Sequence, residues 1–298
     1  MGLQEKIDAR EFVVCAELGP PGSCDGDVLR EKSRHLKGYV DAVNITDNQT
    51  AIVRLSSIAS ARILLDEGIE PIMQMTCRDR NRLAIQSDLL GAAALGIRNV
   101  LCLTGDYQTF GDQPEAKGVF DLDSVQLIAT VATMNGGSLL SGAAMKKPTA
   151  FFIGAAANPF AEPFEMRLIR LHKKIAAGAR FIQTQPVFDM TAFARWMARV
   201  VAAGLHEKAA IIAGVMPVRS EKALHWMNER VPGMRIPDDT ISRMRGARDP
   251  QAEGIGIAVE LIDALKNVEG VRGIHIMPSQ WESVVPTLLA ESGLHVTH

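Results

Sequence analysis

Residues 68–106, GIEPIMQMTCRDRNRLAIQSDLLGAAALGIRNVLCLTGD, hold one complete unit of the pattern that decides the fold. A glycine releases the chain, an apolar stretch at 71–76 follows, a polar turn leads into a helical stretch, and a second glycine starts the next strand. The same order recurs along the chain. Helical stretches stop at Gly38, Gly68, Gly96, Gly142, Gly178, Gly204 and Gly270, each a place for a left-handed C-cap. The strands that follow are predicted at 41–46, 71–76, 99–104, 149–154, 180–185, 210–214 and 272–277, and 12–17 at the front makes eight. Eight parallel strands with helices between them in 298 residues are the arithmetic of a closed (β/α)8 barrel of the TIM type. In helix 79–96 the spacing of Leu83, Leu90, Ala94 and Ile97 predicts one apolar stripe facing the barrel, with Arg80, Arg82 and Asp88 elsewhere.

The whole chain bounds the function classes. Apolar residues make up 47% of it and no Pro/Gly/Ser-rich linker divides it, so residues 1–298 are read as one barrel domain. A net charge of −2 lacks the basic surplus of a dedicated nucleic-acid binder. No apolar run reaches the roughly 18 residues of a membrane span, and MGLQEKIDAREF has no signal-type apolar core, so a cytoplasmic protein is expected. Cys15, Cys24, Cys77 and Cys102 are too dispersed for a disulfide framework and are read as reduced thiols. His35, His172, His206, His225, His275, His295 and His298 have no metal spacing, so no metal site is expected. There is no GxGxxG or P-loop motif. Two stretches exceed the βα period: a long polar loop at 107–119, and the segment between strands seven and eight, which predicts one or two short helices before a long one near 251–268.

Barrels of this class place their chemistry at the C-terminal strand ends, here Glu17, Thr46, Asp47, Gln74, Thr76, Asp106, Asn158, Gln185 and His275. Glu17 closes the apolar strand VVCAE and is followed by Gly19-Pro20-Pro21, which puts a carboxylate at the mouth in partly apolar surroundings. Burial of a carboxyl group favours its acid form, the state a general acid needs near neutrality, and Glu17 is the candidate acid. Asp106 follows NVLCLTG, where Gly105 lets the backbone approach a ligand closely. Gln185, before Pro186, offers both a donor and an acceptor to a heterocycle edge.

At these residues the chain resembles the methylenetetrahydrofolate reductase family, through AELGPP, VNITDN, MQMTC, NVLCLTGD, HKKIAAGARFIQTQPVFD and GVMPV. The resemblance implies a flavin-dependent oxidoreductase that reduces 5,10-methylenetetrahydrofolate to 5-methyltetrahydrofolate. It implies that Glu17 protonates folate N10, that Asp106 lies by flavin and pterin, and that Gln185 binds folate. Thr46, Gln74, Thr104, Gly105, Asp106, Asn158 and Lys174 fall on the family's flavin-contacting positions. The departures are Gln74 for a His, Thr104 for an Arg, Asn158 for a Tyr, and Glu162 and Arg167 for a His and an Asp that help hold the dinucleotide. They leave the ring site in place and open the cofactor to FAD or FMN. The electron donor is NAD(P)H or a partner subunit, and an oligomer is expected. Two alternatives stand beside this reading: a flavin-free enzyme using NAD(P)H directly, and a flavin- or folate-binding electron-transfer subunit of a larger complex.

Overall fold

Strands that are apolar on both faces can be buried only in the middle of a layered α/β structure, and that is where these lie. In the computed structural model, which describes residues 1–231 and 234–294, eight parallel strands close on themselves in chain order. They are β1 (Val13–Leu18), β2 (Ala42–Ile45), β3 (Pro71–Thr76), β4 (Asn99–Leu103), β5 (Phe152–Ala157), β6 (Phe181–Pro186), β7 (Ala210–Val215) and β8 (Val271–Ile276). The ring closes through β1 and β8, where Cys15 pairs with His275. This is the (β/α)8 barrel that the glycine rhythm predicts. His295 and His298 lie outside the described residues.

Alternation along each strand divides the core in two. Val13, Cys15, Ala42, Ile72, Leu101, Phe152, Phe181, Ala210 and Ile212 point inward and fill the lower barrel, and Leu3 and Ile7 of an N-terminal helix (Leu3–Asp8) join them. The alternate residues, such as Val14, Val43, Met73, Cys102 and Ile182, point outward against the helices. Inside the barrel Phe152 stacks on Phe181 at 5.2 Å. Gly154 makes room for this, since a Cβ there would sit 2.1 Å from the Phe181 ring. Above these rings Asn44 and Gln183 exchange amide hydrogen bonds, one of them at 3.1 Å, and form a polar floor.

Three expectations are corrected. Strand five starts at Phe152 rather than 149, because Gly142 does not end a helix: the helix Ser124–Asn135 stops at a C-cap on Gly136. Gly142 instead turns a small hairpin, where Ser138 bridges Ala144. In the helix Arg82–Ala94 the buried side is Ile85, Gln86, Leu89 and Ala92, while Leu83 is 74% exposed and Leu90 and Ala94 also face solvent. That helix is apolar on two faces, so periodicity alone does not choose between them. The surroundings of Glu17 are polar, as described below.

The segment between β7 and β8 forms the helices Glu221–Arg230, Asp238–Gly246 and Pro250–Lys266, two short and one long. Cys15, Cys77 and Cys102 are buried free thiols, and burial pushes the Cys77 thiol up to about 12, which leaves it inert. Among the described residues no helix is long and apolar enough to cross a membrane, and no group of His, Cys, Asp and Glu has the makings of a metal site.

Candidate functional site

The C-terminal strand ends surround a cavity of about 350 Å³. Glu17, Gln74, Thr104, Gly105, Asp106, Lys174 and Gln185 all line it, so residues spread over most of the chain meet there. Two annexes open beside it. Thr46 lines one with Glu17, Gln49 and Arg54, and Asn158 lines the other with Arg167, Arg170, Lys174 and Gln185.

Glu17 is the second-last residue of β1 and its side chain is 16% exposed. Gln49 and Gln74 point amide nitrogens at its two oxygens, at 3.3 and 3.5 Å, and His275 Nε2 lies 3.8 Å away. Donors therefore surround the carboxylate on several sides. His275 itself is buried, and its Nδ1 has no partner among the described residues. Sequence reading placed His275 at a strand end but gave it no role. The signal was strand parity: Cys15 and His275 are register partners, so His275 and Glu17 share the inner face one step apart.

Asp106 is exposed at the rim. Gly105 before it has φ +93°, and a Cβ there would lie 3.0 Å from Arg78 Cβ and 3.2 Å from Thr76 Cβ. The glycine thus serves a left-handed turn packed on β3 as well as any approach to a ligand. Thr104 has a structural task, since its hydroxyl accepts from Ser124 N at 3.1 Å, the first amide of the helix that Asp123 caps.

Two arginines that sequence reading did not single out hold the rim together. Arg78 is almost fully buried and donates to Asp79, to the Asn48 carbonyl at 3.1 Å and to the Asp106 carbonyl at 3.4 Å. Arg80 pairs with buried Asp47 at 2.7 Å, and Asp47 also accepts from Thr76 N and Oγ1 at 2.9 Å each. Burial opposes the Arg80 charge, but Asp47 and Asp88 outweigh it and raise its pKa. The long loop is stitched to the same region, with Val119 N on the Arg78 carbonyl and Phe120 N on the Cys77 carbonyl.

Lys174 reaches in from the helix Phe164–Ala176 and donates to the Ala156 carbonyl at 2.6 Å. Burial, then repulsion from Arg170, pushes its pKa down to about 8. Around the cavity, then, stand a carboxylate ringed by donors, a rim carboxylate, the amides of Gln74, Gln183 and Gln185, and the cations Arg78, Arg170 and Lys174. This donor set suits a polar heterocycle carrying an anionic tail.

Comparison with known proteins agrees with the fold and the motifs. The family model for methylenetetrahydrofolate reductase matches residues 2–293. A 5,10-methylenetetrahydrofolate reductase of Pectobacterium carotovorum is 28% identical over 212 residues, covering 70% of this chain and 64% of the relative. Methylenetetrahydrofolate reductase 2 of Schizosaccharomyces pombe is 29% identical, covering 76% of this chain and 36% of the relative. The match thus spans less than two thirds of either relative's length. Among solved structures, a Clostridium thermocellum protein that binds two copies of 5-methyl-5,6,7,8-tetrahydrofolic acid shares the fold, with a TM-score of 0.69 at 15% identity, covering 98% of each chain.

Proposed function

The chain belongs to the methylenetetrahydrofolate reductase family, and from that premise we propose that it reduces 5,10-methylenetetrahydrofolate to 5-methyltetrahydrofolate with a flavin as cofactor. The observation that carries the reading is the meeting of Glu17, Asp106 and Gln185 on one cavity at the catalytic end of the barrel. The chemistry a flavin would supply, when bound, is hydride donation to the methylene carbon. Lys174, Gln74, Thr46 and Asn158 would hold it, and Arg170 and Lys174 at one end of the cavity would face its charged tail.

The chain's own residues perform the rest. Glu17 in its acid form donates a proton to N10, so that the C–N10 bond opens and leaves a cation at N5. Gln49, Gln74 and His275 then face the carboxylate that remains and offset its charge. Asp106 sets a negative charge at the rim, where it stabilises the N5 cation. Gln185 pairs with the pterin edge and fixes its orientation. We place the protein in the cytoplasm, consistent with the absence of a membrane-spanning helix among the described residues.

The test is direct. The purified chain, supplied with flavin, a chemical reductant and 5,10-methylenetetrahydrofolate, is expected to form 5-methyltetrahydrofolate, measured by chromatography. Flavin binding without any such product contradicts the proposal.

A further inference from the structure

A second hollow, of about 200 Å³, lies at the N-terminal strand ends, on the barrel face opposite the cavity described above. Arg180 precedes β6, Lys208 lies just before β7, Arg272 is the second residue of β8, and Arg10 follows the helix Leu3–Asp8; all four line it. This face of a barrel ordinarily serves stability. Four like charges gathered in one hollow work against it. Two carboxylates share the hollow, and both are taken: Asp8 pairs with Arg180 at 2.9 Å, while Glu207 holds Arg10 at 2.7 Å and lies 3.2 Å from His206 Nε2. The Asp8–Arg180 and Glu207–Arg10 pairs are about half exposed or more, so they contribute little. Neither Arg272 nor Lys208 has a carboxylate at ion-pair distance among the described residues. Arg272 is partly buried and donates only to the Ile7 carbonyl, at 3.4 Å, so most of its five donors are unspent. Burial, then repulsion from Arg10, pushes its pKa down. On the same hollow, His206 has a buried Nδ1 with no partner among the described residues.

We propose that this hollow binds a compact dianion of phosphate type, either inorganic phosphate or the terminal group of a phosphorylated metabolite. With His206 neutral, four cations against two carboxylates leave two positive charges uncompensated, and a phosphate group carries roughly −1.5 to −2 at neutral pH. Arginine forks and an ammonium group are the donors that suit its oxygens. An anion held among them ties the N-terminal helix to the starts of β6, β7 and β8, and a ligand that binds only the folded chain stabilises it by mass action. The inference is independent of the reductase reading, since none of these residues lines the catalytic cavity.

Calorimetry of the native chain at constant ionic strength measures the binding of inorganic phosphate and of glycerol 3-phosphate. At least one is expected to bind with a dissociation constant of about 1 mM or below, and about 10 mM of it should raise the melting temperature by about 2 °C relative to chloride. Arg272→Gln should weaken this binding at least about tenfold, and Arg272→Lys should restore part of it. Lys208→Ala, at an exposed position, should weaken it several-fold. Arg170→Gln, at the opposite end of the barrel, should leave it unchanged. Tighter binding of glycerol 3-phosphate identifies a phosphorylated metabolite as the occupant, and equal or tighter binding of phosphate identifies the free ion. No binding of either anion, binding that survives both Arg272→Gln and Lys208→Ala, or binding that only Arg170→Gln removes overturns the proposal. Should Arg272→Gln not fold, Lys208→Ala and the equally exposed Arg10→Gln decide in the same way.

Discussion

Replacing Lys174 by Met in the flavin-free protein should stabilise it at neutral pH. The lysine's pKa falls from 10.5 to about 8 on folding. A lowered lysine pKa means that the charged form is disfavoured in the fold. Below pH 8 the residue is protonated in both states and the whole penalty is present, about 3 kcal/mol. Between pH 8 and 10.5 the unfolded chain binds more protons than the folded one, so native stability rises and the penalty fades, to about 2 kcal/mol at pH 9. Methionine fills a similar volume without charge, but it strands the Ala156 carbonyl, a loss of about 1 kcal/mol. The variant should therefore gain about 2 kcal/mol at pH 7 and about 1 kcal/mol at pH 9, read from urea unfolding at both values. A gain that does not change with pH, or destabilisation at both, would refute the argument that Lys174 is held charged against its surroundings.

Three further substitutions test the supports of the site. Gly105→Ala meets both a positive φ and a 3.0 Å contact with Arg78, and should cost about 1–3 kcal/mol by thermal or urea unfolding. Asp47→Asn leaves Arg80 with Asp88 alone and should cost about 3 kcal/mol, whereas a neutral result would mean that solvent already satisfies Arg80. Gln185→Ala should leave stability unchanged and weaken 5-methyltetrahydrofolate binding by about 1–3 kcal/mol in calorimetry; unchanged affinity would remove Gln185 from the folate site.

Most of the barrel was legible because its strands are short apolar runs set between punctuating glycines. Gly68, Gly96, Gly178 and Gly204 each sit just past a helix C-cap with positive φ, as an αL terminator requires. Gly142 misled because the same residue with the same positive φ also serves a hairpin, and the sequence does not state which partner its backbone finds. Leu83 and Leu90 misled because a helix with leucines on both faces has no unique apolar stripe. Of the nine strand-end residues, seven line the main cavity, while Thr46 and Asn158 line its annexes. The supporting contacts were hidden for a different reason. Arg78, Arg80 and His275 act on partners from other strands, through pairings that exist only once the barrel closes. The basic annex was half visible: Arg167 stood out as a departure from the family, but its convergence with Arg170 on Lys174 is a matter of helix face and loop shape.

The most direct test of the central claim separates the two halves of the reaction in Glu17→Gln. Glutamine keeps the shape of the side chain and one acceptor oxygen for the amide of Gln49 or Gln74, but its own amide has no acidic proton to give N10. Rapid-mixing absorbance of the flavin should show reduction by an electron donor at near the native rate. Reoxidation by 5,10-methylenetetrahydrofolate should be slower by about two to four orders of magnitude, the range expected when a general acid is lost. If both half-reactions slow equally, or if folate reduction proceeds at the native rate, Glu17 is not the acid and the proposed mechanism is wrong.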